Sequence, residues 1–212
     1  MVGSSSSPRR PSPAHPFHFT TVLPHLTSPG ETEWTISGQQ TGKTDIPLTS
    51  KGESQVLSTV TALIGKGKLL DPSSVAQVFV SPRVRARRTF ELLFADDCVS
   101  ALTADESHTI AKAGALVTVT EQIAEWDYGD YEGRLIADVR KERREKGLDE
   151  KREWDVWNDG SEGGESAAQV TERLDGMVQR VKEVQRPLMK DAERSDVVLV
   201  RTDMPLVEKE LT

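Results

Sequence analysis

The sequence predicts a three-layer α/β/α domain with a mainly parallel central sheet. Three observations lead there. Short apolar runs, Gln77 to Val80, Leu116 to Val119 and Asp196 to Val200, are rich in β-branched residues. Between them, apolar residues recur at helical spacing. The runs do not alternate polar with apolar, so both faces of their sheet need cover, which helices in strand–helix–strand units supply.

Each element has its own signal. Ser50 with Glu53 reads as a capping box opening a helix. Val56, Leu57, Val60, Leu63 and Ile64 line that helix, and Gly65 and Gly67 close it. Gln77 to Val80 is a buried strand stopped by Ser81-Pro82, and Val84 to Phe94 is the next helix. Leu116 to Val119 is a second strand that leads into an irregular segment around Glu125. Leu135 to Lys146 is a charged, mostly exposed helix, and Trp154 to Ser166 a Gly-rich acidic loop. Val170, Leu174, Met177, Val178, Val181 and Val184 line a long helix that Pro187 stops. Asp196 to Val200, β-branched and apolar, is expected at the centre of the sheet.

Composition bounds the function. At 212 residues with 36% hydrophobic content, the chain has material for one domain. Residues 1–18 form a Ser/Pro/Arg-rich segment expected to be disordered; its prolines argue against the amphipathic helix of a mitochondrial transit peptide. Residues 19–212 make up the domain. A net charge of −7 argues against a nucleic-acid partner. Of the basic runs, Arg83 to Arg88 suits a small anion, and Arg140 to Arg144 reads as a solvated helix face. Cys98 is the sole cysteine, which excludes an intrachain disulfide and fits a reducing, cytoplasmic setting. No apolar run approaches the ~18 residues of a membrane span, and no secretory signal is expected, because the start lacks an apolar stretch.

Four segments carry candidate chemistry. In Glu125-Trp126-Asp127-Tyr128-Gly129-Asp130-Tyr131-Glu132-Gly133 a carboxylate sits among aromatic rings. Desolvation there raises a carboxyl pKa and suits a general acid, although a surface turn with buried aromatics reads the same way. Gly38 to Thr49 is a polar loop whose amides are able to wrap an anion, although taken alone it reads more readily as a plain connector; it lacks the glycine spacing of a Walker loop. Arg83 and Arg85, in Ser81-Pro82-Arg83-Val84-Arg85-Ala86, open a helix and are placed either to clamp a phosphate or to form salt bridges. Gly163-Gly164-Glu165-Ser166 precedes the long helix, with Ser166 as its N-cap.

Together with Gly30-Glu31-Thr32-Glu33-Trp34, Thr41-Gly42-Lys43-Thr44-Asp45-Ile46-Pro47-Leu48-Thr49 and Trp154-Asp155-Val156-Trp157, these strings resemble the histidine phosphatase superfamily, which contains the phosphoglycerate mutases. Within it the nearest resemblance is to sugar phosphatases of the fungal sedoheptulose bisphosphatase type. The resemblance implies a phosphoglycerate mutase-like fold and a small phosphorylated sugar as partner. It also implies a histidine nucleophile that takes the phosphoryl group, and no metal or other cofactor. It casts Glu125 as proton donor, Arg85 and Arg83 as phosphate ligands, and Gln40, Thr41, Gly42 and Tyr128 as substrate contacts.

The chain departs from that pattern at both ends. Ser28 and Pro29 stand where the family has a phosphate arginine and the nucleophilic histidine, and Thr202 stands at the second histidine. Proline has no side-chain nucleophile, and serine brings no charge. Of His15, His18, His25 and His108, only His25 is near, six positions before Glu31 rather than two. Phe19 to Pro24, the counterpart of the family's first strand, carries Pro24, which removes a ladder donor. The domain is therefore expected to be incomplete at both ends, with its first strand and C-terminal elements altered or truncated. The expected function is that of a sugar-phosphate phosphatase by descent, inactive as written. The alternatives are a non-catalytic phosphosugar binder and a mis-spliced product.

Overall fold

Backbone dihedral preferences and apolar patterning resolve into four strands and six α-helices in the computed structural model, which describes residues 30–94, 108–109, 115–188 and 196–201. The expectations for residues 1–18, for Phe19 to Pro24, and for His25, Ser28, Pro29 and Thr202 lie outside the described residues.

Strands β1 (Val75–Val80), β2 (His108–Thr109), β3 (Leu116–Val119) and β4 (Asp196–Val200) form one sheet in the order β2-β3-β1-β4. β1 pairs in parallel with both β3 and β4, while β2 pairs antiparallel with β3. Side chains alternate faces along a strand. Val78 and Val80 of β1 therefore join Val117, Val198 and Val200 on one face, against α2 (Ser50–Leu63) and α3 (Val84–Leu93) through Val56, Phe90 and Leu93. Phe79 and Val197 face the other way, against Met177 and Val181 of α6 (Ala167–Leu188) and the turn residue Ile123. The three predicted layers are present.

β4 is not central. Among the described residues it pairs only with β1, and β1 holds the two parallel partners. An apolar β-branched run reports that helices cover both faces of a strand; it does not report how many strands flank it. The cap of α2 also differs from expectation. Thr49, extended at φ −74° and ψ 164°, accepts from the Gly52 N–H, and Ser50 is already helical. Glu53 turns instead to Arg88 at 2.6 Å. On α6, Val170, Met177 and Val181 are buried as expected, whereas Val178 is 47% exposed. Pro187 sits within the last turn of α6, which ends at Leu188. Ser166 does cap α6: the Gln169 N–H donates to its hydroxyl at 3.3 Å, and its own N–H donates to Gln169 Oε1 at 2.9 Å.

The arginines of α4 (Ile136–Glu145) are not merely solvated. Arg143 reaches Asp149 at 3.0 Å and the Tyr131 hydroxyl at 2.9 Å, and Arg140 donates to the Trp154 carbonyl at 3.1 Å. They tie the 149–154 segment to a third apolar cluster of Trp126, Tyr128, Tyr131, Val139, Trp154 and Val170. The C-terminal ends of three strands lie side by side, with Val80 opposite both Val119 and Val200. The segments leaving Val80 and Val119 lead to Arg85, in the first turn of α3, and to Glu125.

Candidate active site

Glu125 is held by its own backbone rather than by its side chain's neighbours alone. After β3 the chain makes a short 3-10 turn, Glu121–Ile123, and then runs extended through Ala124. Arg173 of α6 fastens this stretch. Its guanidinium donates to the carbonyls of Gln122 (3.2 Å), Ala124 (2.8 Å) and Glu125 (3.2 Å). It also donates to both carboxylate oxygens of Glu165, at 2.8 and 3.0 Å. An arginine has five N–H donors, and all five are used. Glu165 in turn accepts from the Asp127 N–H at 2.9 Å, and its carbonyl accepts from the Trp126 indole at 2.9 Å. Burial is the largest single influence on the Glu165 pKa and acts to raise it, but the bonds from Arg173 and the Asp127 N–H, with the charge of Arg173, together outweigh it and hold the carboxyl below its ordinary value. Gly164 allows this closeness: a Cβ there would lie 2.2 Å from the Asp127 carbonyl oxygen. The carboxylate thus delivered, Glu125, is only 4% exposed and accepts from the Trp126 N–H at 2.9 Å.

Arg85 arrives from the first turn of α3 and is 3% exposed. It donates to the carbonyls of Thr44 (3.0 Å), Thr41 (3.0 Å) and Gly42 (3.1 Å). These bonds take three of its five N–H and leave at most two for an anion. Burial draws its pKa down, and the negative charge of Glu125 pushes it back up. The Gly38 to Thr49 loop therefore differs from expectation. Its Gly42 and Thr44 amides do not point to an open anion site; both donate to the Glu132 carboxylate, at 3.0 and 2.9 Å. A carboxylate already inside the protein outcompetes an external anion for those donors. The loop's carbonyls orient Arg85 instead. Gly42 is required for its fit, since a Cβ would lie 2.3 Å from the Trp126 carbonyl oxygen.

A cavity of about 450 Å³ opens where these loops meet. Arg85, Glu125, Tyr128, Gln40 and Thr41 all line it, so five of the seven predicted site residues come together. Gly42 does not line it; its carbonyl accepts from Arg85 at 3.1 Å. Tyr128 is buried, and burial first, then the charges of Glu125 and Glu132, push its phenol pKa up, keeping it a neutral donor. Gln40 is 8% exposed, and its Nε2 is buried without a hydrogen-bond partner among the described residues.

Arg83 does not share that cavity. It donates to both oxygens of Glu121, at 3.0 and 2.8 Å, and to the Lys43 carbonyl at 3.1 Å. It lines a separate depression of about 350 Å³ with Lys43, Asp127, Glu165 and Arg173. There each cation has an acidic partner: Lys43 binds Asp127 at 2.5 Å, Arg83 binds Glu121 and Arg173 binds Glu165. Glu125 also lines this depression and so forms the wall between the two spaces. Arg173 and Glu132 escaped sequence reasoning. Arg173 did leave a signal, a lone charge within the apolar stripe Val170, Leu174 and Met177.

Residues 26–200 match the family model for the histidine phosphatase superfamily, branch 1, and the chain belongs to that family. It is 37% identical over 170 residues to sedoheptulose 1,7-bisphosphatase of Saccharomyces cerevisiae, covering 80% of this chain and 59% of that one. It is 35% identical over 149 residues to an acid phosphatase of Mycobacterium tuberculosis, covering 70% and 58%. The chain thus spans under two thirds of the length of these curated relatives. The solved alpha-ribazole phosphatase from Shigella flexneri shares the fold, with a TM-score of 0.58 at 20% identity over 84% of this chain and 71% of that one. Among the described residues no helix is long and apolar enough to cross a membrane.

Proposed function

We propose that this chain binds a small phosphorylated sugar, of the class handled by sedoheptulose 1,7-bisphosphatase, and that it does not turn it over. The observation that carries this reading is the meeting of Arg85 and Glu125 in one cavity with Tyr128, Gln40 and Thr41. A guanidinium, a phenol donor and a polar loop suit a phosphate with a hydroxylated tail. A buried carboxyl beside them suits protonation of a leaving alkoxide. What the chain does not supply at the family's positions is a group to attack phosphorus. Position 29 is proline, position 28 serine and position 202 threonine. Loss of a nucleophile from a unit-acting site costs on the order of a millionfold in rate.

The test is equilibrium binding of sedoheptulose 1,7-bisphosphate alongside a phosphate-release assay. Binding without release above the uncatalysed rate is expected, and no acid-labile phosphohistidine should form. Release at a rate typical of enzymes, or a labelled histidine adduct, would refute the loss of turnover. Absence of binding at millimolar ligand would refute the phosphosugar reading. Sequencing the transcript across codons 28–31 and 200–204 separates a pseudoenzyme from a splicing product; a message that matches this chain excludes the latter.

A further inference from the structure

One wall of the cavity is not accounted for by phosphate chemistry. The short helix α5 (Val156–Asp159) follows Trp154, and Trp154, Asp155, Val156 and Trp157 all line the cavity. Three tryptophan indoles surround this region, and they differ in one respect. Trp126 donates its indole N–H to the Glu165 carbonyl at 2.9 Å, and Trp154 donates to the Gly160 carbonyl at 2.9 Å. The Trp157 indole N–H is buried with no partner among the described residues. Gln40, on the same cavity, also has a buried Nε2 with no partner. Buried donors in folded proteins are nearly always satisfied, and each exception calls for an explanation.

Trp157 is fixed, not loose. Its ring meets Trp126 edge to face, with centroids 4.9 Å apart and planes at 85°. Its backbone N–H donates to the Asp155 carboxylate at 2.8 Å, which caps α5. The ring therefore leans on the residue next to Glu125, so its position is tied to that of the carboxyl. Indole N–H and amide NH₂ are donors only. Neither welcomes a second donor, so the group they suit is an oxygen acceptor. Arg140 lines the same cavity, held by Glu153 at 3.1 Å and by the Trp154 carbonyl at 3.1 Å.

We propose that Trp157 and Gln40 form a specificity subsite that reads an acceptor oxygen on the tail of the phosphosugar, away from the phosphate met by Arg85. The proposal rests on the phosphosugar reading above. The acceptor is either a carbonyl or hydroxyl oxygen of the sugar chain or an oxygen of a second phosphate; the chemistry of recognition is shared.

The chain has four tryptophans, so an amide-type proton–nitrogen spectrum of the ¹⁵N-labelled protein carries four indole signals. Trp157→Phe keeps an aromatic edge against Trp126, removes the donor and assigns the signal by its loss. Three ligands are titrated: orthophosphate, sedoheptulose 7-phosphate and sedoheptulose 1,7-bisphosphate. The Trp157 indole proton is expected to move downfield with a phosphosugar while those of Trp126 and Trp154 stay in place. Trp157→Phe and Gln40→Leu should each weaken phosphosugar binding about three- to tenfold, the loss of one hydrogen bond, with orthophosphate affinity unchanged in Trp157→Phe. A shift with both sugars assigns the acceptor to the sugar chain, and a shift with the bisphosphate alone assigns it to the second phosphate. Saturating phosphosugar binding with an unmoved Trp157 signal would overturn the subsite and leave the phosphosugar reading standing. So would an equal shift with orthophosphate. No binding by the wild-type chain removes both.

Discussion

Replacing Arg173 by methionine should loosen the Glu125 segment more than any other single change on α6. The side chain makes five hydrogen bonds, three to carbonyls of residues 122, 124 and 125 and two to Glu165. Bonds to a charged group contribute about 1.5–3 kcal/mol each, but they share one cation and do not add. Removing one partner of a buried pair costs roughly 3–5 kcal/mol. The Arg173 and Glu165 side chains keep 17% and 21% of their exposure, so solvent screens part of that. The working figure is about 3 kcal/mol, which for a domain of this size lowers Tm by about 6–12 °C. Methionine keeps the apolar stem, so the loss is attributable to the guanidinium. Thermal melts of R173M, R173K and the double variant R173M/E165M provide the assay. R173K retains the charge with fewer donors and should fall between. The double variant should recover about 1–2 kcal/mol, because Glu165 is no longer left unpaired. R173M melting within about 2 °C of the parent would refute the reasoning, as would a double variant less stable than R173M.

Other consequences follow from the same geometry. Thr49→Ala should cost about 1 kcal/mol through loss of the α2 cap, while Ser50→Ala should stay within about 0.5 kcal/mol; paired urea titrations decide between them. Gly42→Ala brings a methyl to 2.3 Å from the Trp126 carbonyl oxygen and 2.6 Å from Glu132 Oε2. It should lower stability by about 2 kcal/mol or more through overpacking and abolish phosphosugar binding; a variant that melts and binds like the parent would refute the close approach. Acid titration should expose Glu165, whose folded pKa lies below its ordinary value of 4.5. A depressed carboxyl pKa contributes stability that is complete above the unfolded value and lost as pH falls through the folded one. Stability measured against pH should therefore drop on that limb in the parent and drop less in R173M.

How much of this was legible depended on whether a signal was local. β1, β3 and α3 were readable because burial on both faces demands unbroken apolar or helical patterning within a few residues. The Glu125 segment was readable because tryptophan and tyrosine beside a carboxylate have few uses other than burial. The anchors were not. Glu132 acts on Gly42 across 90 positions, and Arg173 acts on Glu125 across 48. Neither leaves a local pattern beyond a charge in an apolar stripe. Arg83 misled for a different reason. Arg83 is the extended N-cap of α3 (φ −64°, ψ 139°) and Arg85 lies within its first turn, so the two line different spaces although their identity and spacing look equivalent. The anion loop misled because composition counts its amides but not the carboxylate that occupies them.

The same geometry gives position 29 a direct test. Gly30 lines the cavity beside Arg85 and Glu125. It is also pinned, since a Cβ there would lie 2.0 Å from the Gly52 carbonyl oxygen. The next residue, Glu31, donates its N–H to Gln55 at 2.9 Å and accepts from the Thr49 N–H at 2.9 Å. The chain is thus fixed one peptide bond after Pro29, at the edge of the cavity. Pro29→His would return an imidazole to the position where the family has its nucleophile. Steady-state turnover is a poor readout, because residues of a catalytic unit act together and one restored member returns little of the rate. Ser28 and Thr202 would still bring no charge to phosphorus. Single-turnover trapping asks the narrower question. With radiolabelled sedoheptulose 1,7-bisphosphate, Pro29→His should form an acid-labile, base-stable adduct that the parent does not form, and Glu125→Gln added to it should slow adduct formation, since the leaving alkoxide would lack its proton. A Pro29→His variant that binds the sugar yet never becomes labelled would show that the missing nucleophile is not the only lesion.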